Sequence, residues 1–364
     1  MILREANKYL EEWKGRNDRK PLILRGARQV GKTTMVNQFA KQYEVFLSLN
    51  LEKNADKILF DTFPDIHALT DAIYRHCKQQ KKEVETLLFI DEIQNSPAAV
   101  AMLRYFYEEV THLHVICAGS LLESLIDNTI SFPVGRVEYL AIRPCSFVEF
   151  LNGIGEGYDL KLIRQREVTS VHSRVMQHFM NYMLIGGMPA VIMKYAENRD
   201  VLATEIVFET LLNAYIDDVP KYARNETLSK VIQFILKVGW KYAGESISFE
   251  RFGESNYKSR EVGEAFRTIE KAMLLELAYP ITVPQIPLLT SLSRKPKLLW
   301  LDTGLVNYFA GVRDTIFSVT DIMEAWRGKI AEHIVGQELL AGNMFVSAHR
   351  QFWVRSKSQS MAEV

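Results

Sequence analysis

Residues Gly26-Ala27-Arg28-Gln29-Val30-Gly31-Lys32-Thr33 set two glycines on either side of four residues and put a lysine and a hydroxyl directly after the second. That spacing suits the grip of a polyphosphate. Glycines let the backbone bend where a side chain would block it, so successive N–H groups converge on phosphate oxygens at the start of a helix. Lys32 adds a positive charge toward the β- and γ-phosphates, and the Thr33 hydroxyl is a ligand for Mg²⁺. The apolar run Leu22–Leu24 before the segment and the helical pattern Thr33–Gln42 after it supply the context such a loop requires. Gly26, Ala27, Arg28, Gln29, Val30, Gly31, Lys32, Thr33 and Thr34 are the candidate nucleotide-binding residues.

A second constellation is Leu87-Leu88-Phe89-Ile90-Asp91-Glu92, four apolar residues followed by two acids. In an open α/β sheet the C-terminal end of a central strand faces the ligand crevice. Asp91 is placed to hold Mg²⁺ together with Thr33, and Glu92 is the candidate base that polarises an attacking water. The bland alternative is that the two acids open a loop and cap the next helix; their pairing with the glycine-rich loop favours chemistry. The run Leu113–Ala118 leads into Gly119-Ser120. Ser120 is a candidate γ-phosphate contact, or else the N-cap of a helix starting at Leu121. Arg136 is a candidate arginine finger, in cis or from a neighbouring subunit, or else a surface arginine at a strand edge.

These residues need a scaffold, and residues 20–150 supply its pattern. Short apolar runs at Pro21–Arg25, Val45–Leu49, Thr86–Ile90 and Leu113–Ala118 alternate with helical stretches at His67–Gln80 and Ala98–Val110. Runs of this length between helices read as buried parallel strands joined by crossovers. The fold class is therefore α/β: a P-loop NTPase core with a parallel sheet and flanking helices, followed by a helical region, a winged helix and a partial α/β segment. Met1–Lys14 reads as an amphipathic helix carrying Leu3, Leu10 and Trp13. Asn152–Asp159, with three glycines, reads as a linker. Beyond it lies helical text, in which Pro220 is expected to stop a helix. Helix patterns at Leu228–Tyr242 and Ser259–Met273 are followed by strand text, the order of a winged helix-turn-helix. The boundaries are 1–152 for the core, 160–225 for the helical region, 226–310 for the winged helix and 311–364 for the last segment.

At 364 residues the chain is long for one domain. Its 44 basic and 44 acidic residues cancel, so no long-range field draws the whole molecule to nucleic acid or an anionic membrane. The three cysteines have no metal-like spacing, which argues against zinc and fits a reducing compartment. No apolar run approaches the roughly 20 residues of a membrane span. The location expected is cytoplasmic. His112 and His114 alternate on one run, but without a third ligand nearby they read as polar strand residues rather than a metal site.

The motifs together resemble the bacterial and archaeal AAA-type ATPases that carry a C-terminal domain of unknown function. The resemblance rests on Leu24–Thr34, Phe89–Gln94, Ala118–Ser120, Gly135-Arg136, Arg143–Phe150, Gly186–Pro189, Tyr215–Asp218 and Leu301–Leu305. It implies an ASCE-type P-loop core, a winged helix and a segment similar to PD-(D/E)xK nucleases. In that last segment Glu332 matches the helical acid and Phe352-Trp353-Val354-Arg355 opens the hairpin. The aspartate and Glu-x-Lys that would follow are missing, and Glu363 does not replace them, so the nuclease alternative is disfavoured.

The function expected is Mg-dependent ATP binding and hydrolysis coupled to movement of the winged-helix region, with ATP and Mg²⁺ as cofactors. The alternative is a nucleotide-dependent switch with little turnover. A DNA or protein partner is expected through the winged helix, where Tyr257, Lys258, Ser259, Arg260, Arg267, Lys271 and the basic stretch Ser291–Lys297 lie among Glu261, Glu264 and Glu270. An oligomer is compatible with an arginine finger supplied in trans.

Overall fold

The computed structural model describes residues 2–82, 84–119, 133, 135–167, 169–282, 286, 288–311 and 329–354. The chain forms two compact units. One is Arg4–Ile142 with Met344–Val346; the other is Met1–Leu3, Arg143–Asn343 and Ser347–Val364.

The first unit is built on a five-stranded sheet of β1 (Leu22–Arg25), β2 (Val45–Asn50), β3 (Thr86–Asp91), β4 (Leu113–Gly119) and β5 (Glu138–Ala141), in the order β2-β3-β4-β1-β5. Every pairing is parallel, with Leu24 opposite both Ala118 and Leu140, and Asn50 opposite Asp91. Every residue of β1 and β4 is buried, as expected when helices cover both faces. Helices α1 (Ala6–Lys14), α2 (Lys32–Phe39), α3 (Asn54–Thr62), α4 (Ile66–His76) and α5 (Pro97–Glu109) supply that cover. Asp65 caps α4, and Ser96 followed by Pro97 starts α5, so both helix starts are encoded locally. On β5, the Ala141 N–H donates to the Met344 carbonyl oxygen at 2.9 Å, on the short stretch of chain that returns to this unit.

The strand expectations match these elements to within a residue or so, and the parallel α/β arrangement is present. The amphipathic helix is shorter than expected. It starts at Ala6 and buries Leu10 and Trp13, while Leu3 lies before it and is 59% exposed. His114 is buried in β4, hydrogen-bonded to the Tyr43 hydroxyl at 2.8 Å and edge-on to Trp13; burial pushes its pKa down to about 4. It is a neutral packing residue.

The second unit opens with helix Phe147–Gly153, started by a Ser146–Glu149 capping box. The stretch read as a linker is a tight turn into helix Gly157–Gln165, with Gly155 left-handed at φ +83° and Asp159 buried. Glycine marks flexible linkers and left-handed turns alike, and here it closes a turn. Helix Glu205–Tyr222 contains Pro220 and runs two residues past it. A proline so near the end forfeits only one of the last backbone bonds, so it does not stop the helix where expected. Helix Glu226–Val238, capped by Asn225, precedes helix Ser259–Lys271, β6 (Leu275–Ala278), β7 (Pro280–Ile281) and β8 (Lys297–Trp300). Strands β6 and β8 pair antiparallel, and Trp300 stacks on Trp240 with ring centroids 3.8 Å apart. Helices Thr303–Phe309 and Lys329–Ala341 follow, and β9 (Phe352–Trp353) pairs with β7.

Candidate nucleotide site

The segment from Gly26 to Gly31 joins β1 to α2. Gly31 sits at the helix N-cap with φ 94°, and Gln29, though not a glycine, also takes a left-handed φ of 64°. Two left-handed residues in three turn the backbone N–H groups to one side, the geometry of an anion cradle. Gly26 is a glycine for a different reason. Its φ is not left-handed, but a Cβ there would collide with the backbone oxygen of Ile142. The requirement is space.

Lys32 is buried. Its ammonium donates to the backbone oxygens of Gly26 and Ala27, both at 2.8 Å. Burial lowers its pKa to about 8, against the opposing pull of Glu92 and Asp91. The Thr33 hydroxyl donates to Asp91 Oδ2 at 2.8 Å. Burial also raises the Asp91 pKa, although the Thr33 hydroxyl and the Glu92 N–H, which lies 3.1 Å from Asp91 Oδ1, favour its charged form. Thr33 lies in the helix that follows β1 and Asp91 ends β3, and these two strands flank β4, so the strand order brings together residues 58 apart in sequence. A hydroxyl and a carboxylate oxygen side by side are the hard donors a Mg²⁺ ion takes, and the partly desolvated carboxylate gains from a cation.

Glu92 follows β3 directly, in a left-handed conformation of φ 53° that begins a 3₁₀ turn, Ile93–Asn95. Its carboxylate accepts from Gln94 Nε2 at 2.5 Å. Sequence reasoning includes Gln94 in the Phe89–Gln94 motif but gives it no role; a polar residue two positions after the acidic pair is the local signal. Arg136 forms an ion pair with Glu108 of α5 at 3.0 Å. Ser120 lies outside the described residues. Arg28 pairs with Glu52 at 3.1 Å.

In the second unit, Glu332 pairs with Lys297 at 2.6 Å, whereas Arg355 and Glu363 lie outside the described residues. Among the described residues, one trio has metal-ligand spacing: Glu156, Asp159 and His178. Arg199 donates to Glu156 at 2.9 Å and Arg174 Nε to Asp159 at 2.8 Å, so two guanidinium groups already balance those acids. No helix among the described residues is long and apolar enough to cross a membrane.

Residues 18–151 match the family of AAA domains. Residues 176–315 match a domain of unknown function. No curated protein matches the chain. Among solved structures, a Walker-type ATPase of Pyrococcus abyssi is similar over 85% of this chain and 96% of its own, at 13% identity and a TM-score of 0.55, a likeness of fold. A signal-transduction ATPase with a tetratricopeptide repeat sensor, from Pyrococcus horikoshii, is similar over 94% of this chain and 48% of its own, at 12% identity and a TM-score of 0.34. The chain thus carries an AAA domain at residues 18–151 and, at residues 176–315, a domain of unknown function.

Proposed function

We propose that the protein binds ATP with Mg²⁺ and hydrolyses it, and that the nucleotide state acts on the second unit. One observation carries the reading: a buried ammonium, Lys32, beneath a left-handed loop and next to a bonded hydroxyl–carboxylate pair, Thr33 and Asp91. Lys32 exchanges its two carbonyl partners for oxygens of the β- and γ-phosphates. Thr33 and Asp91 would hold Mg²⁺, which when bound neutralises charge on those phosphates. Glu92 accepts a proton from water. The water oxygen forms a bond to the γ-phosphorus, the bond to the bridging oxygen breaks, and its electron pair leaves on ADP. Phosphate departs with the other proton, and Glu92 returns its own to solvent or product. Arg136 would leave Glu108 to act as a finger; the pair is exposed and screened by solvent, so release is easy.

In the second unit, helix Glu226–Val238, helix Ser259–Lys271 and the antiparallel pair β6–β8 follow one another in the order of a winged helix. Three of its cations are paired within the unit: Arg224 with Glu264 at 2.7 Å, Lys230 with Glu226 at 2.7 Å, and Lys297 with Glu332. The cancelling charge of the whole chain favours a protein partner over a phosphate backbone, which draws on net positive charge. Three free cysteines fit a cytoplasmic setting.

The test is turnover and nucleotide binding by purified protein. Lys32→Ala abolishes binding. Glu92→Gln keeps binding and lowers turnover by about 10²- to 10⁴-fold, the range for loss of a general base. Unchanged turnover in Glu92→Gln removes that residue from its role. A turnover rate that climbs steeply with added DNA at low salt would displace the protein partner.

A further inference from the structure

Gln94 sits at the mouth of this site and the mechanism above leaves it unused. Its amide has two unlike ends. An ionised carboxylate only accepts hydrogen bonds, so the NH₂ end must face Glu92, where Nε2 lies 2.5 Å from Oε2. That choice fixes the other end. The amide oxygen is buried and, among the described residues, meets no hydrogen-bond donor.

The room for that oxygen comes from β4. A Cβ at residue 119 would fall on Gln94 Oε1, closer than van der Waals contact allows. Gly119 does not have a left-handed φ, so its backbone does not demand glycine. The missing side chain is what admits the amide. The register of β3 on β4, with Ile90 opposite Cys117, brings the acidic pair beside the tip of β4 where Gly119 lies. Glu92 follows the strand in a left-handed conformation that a non-glycine residue adopts at some cost, and its side chain does not cap the 3₁₀ turn it begins.

We infer that Gln94 is a positioning residue for hydrolysis, its amide clamped between the Glu92 carboxylate and the bare backbone of Gly119 so that the base is held in one orientation. The inference rests on the hydrolytic reading of Glu92. A glutamine suits the task because it donates to the base without competing with it for protons. The clamp has two parts, one in the turn after β3 and one at the end of β4, and each can be removed separately.

The experiment measures kcat, KM and nucleotide affinity for the intact chain carrying Gln94→Met, Gly119→Ala, Glu92→Gln, and the double variant Gln94→Met with Glu92→Gln. Methionine keeps the volume of glutamine and loses the donor; the alanine methyl at 119 displaces the amide without touching Glu92. Gln94→Met and Gly119→Ala each lower kcat ten-fold or more, with nucleotide affinity unchanged. In the Glu92→Gln background Gln94→Met has no further effect, because a residue that acts through the base has nothing left to act on. Wild-type kcat in Gln94→Met, beside a stalled Glu92→Gln, overturns the inference and leaves the hydrolytic reading standing. So does a loss in Gln94→Met that adds in full to that of Glu92→Gln, which would mark a packing role. A wild-type chain without turnover removes both.

Discussion

Lys32 holds its charge against its surroundings. Two carbonyl oxygens solvate the ammonium, and burial brings its pKa down to about 8. A triphosphate supplies the opposite charge and pulls that pKa back up. Binding between about pH 8 and 9 therefore takes up a proton, and affinity falls as pH rises through that range. Calorimetric titration of ATP in two buffers of different ionisation enthalpy measures the uptake; heats that do not depend on the buffer at pH 8.5 would contradict it. The same group has a linked effect on folding. The unfolded lysine keeps its proton to about pH 10.5, so between pH 8 and 10.5 the unfolded state binds more protons, and this residue's contribution to native stability rises with pH. A charge retained at neutral pH despite that cost is what distinguishes Lys32 from the paired lysines at the surface.

The phosphate loop was legible in the sequence because its parts are contiguous: strand, glycine-bent turn and helix follow one another within Leu22–Phe39. Asp91 and Glu92 were legible because they end a run of apolar residues. Gln94 was not, since its role depends on Gly119, twenty-five positions away, and on β3 lying against β4. Glycine text proved ambiguous at Gly155, where it closes a turn between two helices, and at Gly26, where it makes room for the backbone of Ile142. The Asp302 network was equally hidden. Its carboxylate caps helix Thr303–Phe309 at the Leu305 N–H, accepts from the Gly187 N–H at 2.5 Å, and is fully buried. Burial raises its pKa from 3.8 to about 6 even with those donors. The folded unit thus holds a proton there that the unfolded chain gives up, and between about pH 4 and 6 this residue makes stability fall as pH rises. Asp302→Asn removes that slope. It is also less stable throughout, because an amide cannot accept on both sides of the cap. Denaturant unfolding at pH 4.5 and pH 7 reads both effects, and an undiminished slope in the variant would assign the titration elsewhere.

At the scale of the molecule, cancelling charges leave recognition to local features, and the AAA domain supplies the clearest of them. Ligand binding to the folded state alone adds stability by mass action, about 2.7 kcal/mol at a hundred-fold excess over Kd. Saturating Mg-ATP therefore slows hydrogen exchange most at β1, β3 and the start of α2, and leaves Lys32→Ala unaffected. Equal slowing in that variant would mean that nucleotide binds somewhere else. The contact between Ala141 and Met344 sets a limit on how this sheet can be isolated. The outer margin of β5 is closed by residues encoded two hundred positions later, so a fragment cut after Ile142 exposes a strand rim with an open amide, a template for pairing with other copies. Expression of residues 4–142 alone is then a problem of self-association, and a short tether restoring Met344–Val346 is its remedy.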